Sequence, residues 1–149
     1  MANITCPNLE KYSRKLQMLS KATEGILKYA SYDAAGVVRD AVKAATPVGG
    51  EDDPTRGSLR ESCILVPYQN DMGYVYTYVT FDGYSGDGDH MVPNIIKARV
   101  LEHGRSKKDG GITGKHPFID AAVDSVRTKA EQLIEKNLNE KLEQIMNKE

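Results

Sequence analysis

Residues 73–81 read GYVYTYVTF. Tyr74, Tyr76, Tyr78 and Thr80 fall on one side of this stretch and Val75, Thr77, Val79 and Phe81 on the other. That period of two makes faces only in an extended strand, and the β-branched and aromatic residues suit one. Residues 63–66 (CILV) have the same character, and Gln69, Asn70 and Asp71 supply turn chemistry between the two runs. The simplest reading is a pair of antiparallel strands.

On either side of this pair the apolar period lengthens to three and four. Upstream, Leu9, Tyr12, Leu16, Leu19, Ile26, Leu27, Ala30, Val37, Val38, Ala41, Val42 and Ala45 keep one helical face apolar, with Asn8 placed to cap the start and Pro47 to end the run. Gly25 and the stretch 31–36 are the points where this helix could bend or divide. Downstream, Pro117 is suited to a first helical position, and Ile119, Ala122, Val123, Val126, Ala130, Leu133, Ile134, Leu138, Leu142, Ile145 and Met146 repeat behind it. At 1.5 Å per residue this second helix would be about 45 Å long.

The order predicts an α+β fold, two long amphipathic helices packed on a small antiparallel β-sheet. One domain is expected over 1–149, with a helical region at 1–46, a sheet region with long loops at 47–116, and a C-terminal helix at 117–149. Residues 47–57 (PVGGEDDPTRG) are loop chemistry, and Ser58 and Glu61 have the spacing of a capping box for one helical turn. Residues 82–94 form a polar loop. The apolar run of Ile95, Ile96, Ala98, Val100 and Leu101 alternates toward its end, which favours a strand there, and the basic loop 105–115 (RSKKDGGITGK) is expected to be mobile. The helices are longer than so small a sheet can cover, so the surplus from Leu133 to Met146 should be buried against another subunit or another protein; the alternative is that the helices pack on each other.

A chain of 149 residues with 20 Lys and Arg against 21 Asp and Glu is not a dedicated polyanion binder, which would carry a basic excess. At 40% hydrophobic and 28% charged residues, it is neither a disordered tail nor a membrane protein. At this length a single domain should bury ~70% of its unfolded surface. Two cysteines, Cys6 and Cys63, are too few for a disulfide framework and lack zinc spacing, so free thiols in a reducing compartment are expected. The first twenty residues carry charges at Glu10, Lys11, Arg14 and Lys15, where a signal peptide needs an apolar stretch. Folding in the cytoplasm and no membrane partner are therefore expected.

Catalytic signatures are sparse. Asp87, Asp89 and His90 lie together and His103 and His116 flank the basic loop, but H-E-x-x-H, paired C-x-x-C and the complete calcium-loop pattern are missing. Ser85 and Ser106 lack a nucleophile-elbow context, and Gly49-Gly50 and Gly110-Gly111 lack the lysine of a phosphate loop. No cofactor or metal is expected. The tyrosine row suits the half-buried sheet face under a helix, or a protein contact, better than a nucleic-acid platform, since no Lys or Arg lies between Glu61 and Ile96.

Charge is distributed in blocks. Residues 1–46 carry seven basic and four acidic side chains (+3), 47–94 carry two and eight (−6), 95–116 carry six and two (+4), and 117–149 carry five and seven (−2). Copies of the chain could meet plus to minus, and a head-to-tail contact closes into a ring where the rotation permits.

Three ordered motifs point to a family. Ala44-Ala45-Thr46-Pro47 followed by Gly57-Ser58-Leu59-Arg60-Glu61-Ser62 resembles the A-P … T-G-x-L-R-x-S signature of the phage tail-completion family, also called head-to-tail joining or neck proteins. Ala98-Arg99-Val100-Leu101-Glu102-His103-Gly104 is similar to its Y-A-x-x-V-E-F-G segment, and His116-Pro117-Phe118-Ile119-Asp120-Ala121-Ala122 to its x-P-F-L-x-P-A helix start. Arg56 intervenes between Thr55 and Gly57, His103 replaces an aromatic, and Ala121 stands in place of a proline.

The resemblance implies a structural virion protein rather than an enzyme, made in the host cytoplasm and forming a ring, expected to be a hexamer. It would sit between the head connector beside the portal and the tail tube or tail terminator, with genomic DNA passing through its channel without specific binding. Leu59 is expected to anchor its loop in the core with Arg60 facing outward, and Phe118 to pin the last helix on the sheet. Partner or oligomer contacts are expected among Leu59, Arg60, Glu102, His103, Arg105, Lys107, Lys108 and Phe118. Two alternatives from other classes are a small metal-dependent hydrolase using Asp87, Asp89, His90 and His103, and a nucleic-acid-binding module using Lys97, Arg99, Arg105, Lys107 and Lys108.

Overall fold

A computed structural model of the chain describes residues 9–69, 75–112 and 114–147. Helix α1 runs unbroken over Leu9–Ala45, so Gly25 and the 31–36 stretch do not divide it. After the loop come the single turn α2 (Ser58–Glu61), strands β1 (Cys63–Gln69) and β2 (Val75–Phe81), a two-residue ribbon β3 (Tyr84–Ser85) and β4 (Val92–Pro93), helix α3 (Asn94–His103) and helix α4 (Ile119–Met146). The architecture is α+β: α1 underlies both β1 and β2, α4 lies along α1, and the first turns of α4 reach the sheet through Phe118.

The predicted strand pair is present, with Cys63 opposite Phe81 and Gln69 opposite Val75. The turn residues Asn70 and Asp71 lie outside the described residues. Just beyond the ladder the Asp82 N–H donates to the Ser62 carbonyl at 2.8 Å. Counting along the register from that bond, Pro67 and Thr77 form a non-hydrogen-bonded pair. Proline is tolerated there because its missing N–H would point away from the partner strand.

Thr77, Val79 and Phe81 face α1, where Ser31 Oγ and Thr77 Oγ1 lie 3.2 Å apart and Val79 and Phe81 join the core. The tyrosine row is therefore not under a helix, since Tyr76 and Tyr78 occupy the opposite, exposed face. The strand period defined two faces, and the more apolar one, whose Thr77 hydroxyl finds a partner in Ser31, took the helix.

Two further expectations change. Residues 94–103 are helix to their end, not strand. The buried positions are Asn94, Ala98 and Glu102, spaced by four, and two of the three are polar, so the helical period is invisible to a count of apolar residues. The capping box at Ser58 and Glu61 does not form: Gly57 occupies the N-cap at φ +78°, and Glu61 pairs with Lys43 at 2.9 Å. Helix α4 begins at Ile119, two residues after Pro117, because Phe118 stands outside the helical range at φ −135° with its ring edge-on to Phe81.

The core gathers Val42, Leu59, Cys63, Phe81, Ala98, Phe118 and Ala122. Each of α1, α2, β1, β2, α3 and α4 contributes one residue, and Phe118 adds the N-cap of α4, which is why these elements close over the same end of α1. Away from this core, the α1–α4 seam is built from Ala30, Ala34 and Ala130, whose small side chains let the helices approach closely. Asn137 Nδ2 donates to Asp33 Oδ2 at 2.8 Å across that seam, a polar contact that favours one register of the two helices.

Candidate functional site

The three motif segments, more than fifty residues apart from first to last, meet at one joint. Arg60 does not face outward as expected. Its guanidinium folds onto the last turn of α1, with Nη2 2.9 Å and Nε 3.3 Å from the Thr46 carbonyl and Nη2 3.3 Å from that of Ala44. A helix ends in carbonyls without partners, and a cation with a planar fork satisfies two of them at once. Thr46, fully buried, turns its own hydroxyl back to the Val42 carbonyl at 2.7 Å.

Glu102 performs the opposite task for α4. Its Oε2 accepts the N–H groups of Phe118 and Ile119 at 2.7 and 2.8 Å, and its Oε1 that of Asp120 at 3.0 Å. Phe118, in the N-cap position, has no side-chain acceptor to offer, so the carboxylate from α3 caps the helix in its place. Glu102 is only 4% exposed. Burial works to raise its pKa, but the bonds from Ile119, Asp120 and Phe118 and the charge of His103 outweigh it and hold the carboxyl below its usual range.

The predicted contact residues thus separate into two groups. Leu59, Phe118 and Glu102 are buried inside the chain and Arg60 is bound to α1, so these four build the joint. His103, Arg105, Lys107 and Lys108 are exposed. The basic loop is partly folded by itself: Ser106 bridges to Ile112, Lys107 N–H donates to Gly111 O at 2.7 Å, and Gly110 turns at φ +82°. Lys107 and Lys108 ride on this small hairpin.

The residues of the hydrolase alternative are not brought together. Asp87 and His90 close a turn through their backbones at 3.0 Å, while His103 ends α3. Among the described residues, no group of three His, Cys, Asp or Glu could hold a metal ion. Cys63 is a free, buried thiol whose pKa burial pushes up, which makes it a poor nucleophile; Cys6 lies outside the described residues. No described helix is long and apolar enough to cross a membrane.

Sequence reasoning missed a second network under the β3–β4 ribbon. Asn94 Nδ2 donates to the Asp82 carbonyl at 2.7 Å, the Ser85 hydroxyl donates to Asn94 Oδ1, and Lys97 Nζ donates to Ser85 Oγ at 2.6 Å. It ties the start of α3 to the ribbon. The signal for it was Asn94 following Pro93, a polar residue at a helix start.

Two apolar recesses flank α3. One, of about 790 Å³, runs between β2 and α4 with α1 as its floor; the other, of about 760 Å³, lies between the 47–59 segment and the far side of α3. Large apolar side chains also stay exposed along the helices, among them Leu16, Met18, Tyr29, Leu142 and Met146. Compared with protein-family models, curated proteins and solved structures, the chain matches none.

Proposed function

We propose that this chain is a structural protein of a phage particle, one copy of a ring that joins the head connector to the tail. The observation that carries the reading is the joint. The three segments resembling tail-completion proteins contribute Arg60, Glu102 and Phe118, and each of these side chains secures an element distant in sequence. A set of motifs that together lock one fold is a coherent signature, whereas chance matches would scatter over the surface.

What the fold leaves uncovered supports binding as the mode of action. Apolar residues at Leu16, Met18, Leu27 and Tyr29 on α1 and at Ile134, Leu142 and Met146 on α4 remain exposed, along with Tyr76 and Tyr78 on the sheet. Surface of this kind is covered by partners in assembled proteins. In the proposed ring the partners are further copies, the connector protein beside the portal on one side, and the tail tube or terminator on the other. Genomic DNA passes through the channel without being held, as a nearly neutral chain allows.

The test is genetic and microscopic. Particles assembled without this protein should accumulate as filled heads and separate tails, and a tagged copy should localise to the neck. Normally joined particles from the deletion would overturn the reading.

A further inference from the structure

The recess between β2 and α4 lies beside a strand that has one neighbour among the described residues. Both elements pack on α1 yet leave the space between them open, and the β2 edge bordering it is unpaired among the described residues. The ladder phase set by the Asp82–Ser62 bond turns the backbone N–H and C=O groups of Thr77, Val79 and Phe81 away from β1. Opposite them stand Val123, Ala130 and Ile134 of α4. Arg99 lies at the rim, exposed and without an ion pair among the described residues, with His103 beside it on the same helix.

The chemistry therefore asks for an extended element with apolar side chains and negative charge. The ribbon β3–β4 of this chain has both. Tyr84 is 66% and Met91 53% exposed, and between them Asp87 and Asp89 have no cationic partner among the described residues. Its turn is closely built, since any side chain at Gly86 would collide with the His90 carbonyl. The other exposed hairpin, carrying Lys107 and Lys108, would place cations against Arg99.

A chain cannot fill its own recess this way. Ile95, Ala98, Arg99 and Glu102 face the β2–α4 recess, whereas Ile96, Lys97 and Val100 face the other side of α3, together with Ser85 and Val92 of the ribbon. Ribbon and recess lie on opposite sides of one helix. Resting on the ring reading above, we propose that the recess receives the β3–β4 ribbon of a second copy, Tyr84 and Met91 against the apolar floor and Asp87 and Asp89 against Arg99. Such a contact is head-to-tail, and it propagates around a closed ring.

Charge reversal tests it. Arg99→Asp spoils the recess, and Asp87→Lys with Asp89→Lys spoils the ribbon; all three positions are exposed, so folding should survive. In analytical ultracentrifugation the wild-type chain should form closed oligomers and each variant alone should stay monomeric. An equimolar mixture of the two should restore closed oligomers, because the sound ribbon of one variant meets the sound recess of the other and the reversed ribbon meets the reversed recess with the charges exchanged. Variants that oligomerise as the wild type does, or a mixture that stays monomeric, would overturn the proposal.

If the isolated wild type is monomeric, a fluorescent cyclic peptide of residues 82–94 reads the same site. It should bind the chain saturably, lose about tenfold in affinity on Arg99→Asp and lose binding on Ile134→Glu; an absence of binding to the wild type would overturn it equally. Failure here with unjoined particles in the deletion leaves the neck reading standing without this interface. Closed oligomers restored in the mixture, together with normally joined particles, leave the interface standing without the neck.

Discussion

Glu102 keeps its charge inside the protein because three peptide N–H groups surround it, a density of donors that water would otherwise have to supply. Glu102→Gln preserves shape but turns an amide N–H₂ toward those donors, so it should cost about 1–3 kcal/mol, read from the urea midpoint. The carboxyl titrates lower in the folded chain than in the unfolded one, where about 4.3 is usual. Its contribution is therefore complete above the unfolded value and is lost as pH falls through the folded one. The Gln variant should accordingly lose less stability on acidification than the wild type, and an unchanged acid limb would count against the cap. At Arg60, the Met variant keeps the aliphatic stem and loses the fork, with an expected loss of about 1–2 kcal/mol by the same measurement. The sequence marked both residues as notable and misjudged what they do. Capping rules look within four residues, whereas Glu102 caps a helix that starts 17 positions later.

Among the elements, α1 shows how a strong period overrides local weakness. Gly25 and Gly36 cost the helix backbone entropy, but neither has a positive φ, and a Cβ at either would meet nothing within 4 Å. Gly25→Ala and Gly36→Ala should each raise stability by about 0.5–1 kcal/mol, visible as an upward shift in thermal midpoint. The two long helices and the strand pair were legible because each shows its period over many residues. Helix α3 was not, because two of its three inner residues, Asn94 and Glu102, are buried by hydrogen bonds and only Ala98 by hydrophobicity. The mixed apolar residues on its remaining surface, Ile95, Ile96, Val100 and Leu101, serve two recesses at once and imitate an alternating strand.

At the scale of the whole molecule, packing is uneven. The core cluster occupies the end of α1 around Val42, while α1 and α4 continue past it with Ala30, Ala130 and Asn137 as their buried residues. Lys15 Nζ reaches the Met146 carbonyl at 2.8 Å and Lys141 stacks over Tyr29 at 5.3 Å, contacts that join the helices at their exposed surface. Amide hydrogens of residues 13–29 and 133–146 should therefore exchange faster than those of β1, β2 and the joint in the isolated chain, and should slow on assembly. Uniform protection in the isolated chain would contradict this. From sequence alone came the class of the fold, the long helices, the paired strands, the free thiol at Cys63 and the block pattern of charge, because periodicity, composition and charge are properties of neighbours along the chain. Only the tertiary structure decided which sheet face is covered, that Arg60 and Glu102 bind helix ends, and that ribbon and recess stand on opposite sides of α3. Those depend on contacts between residues far apart in sequence, whose energies are set by burial and geometry rather than by local pattern.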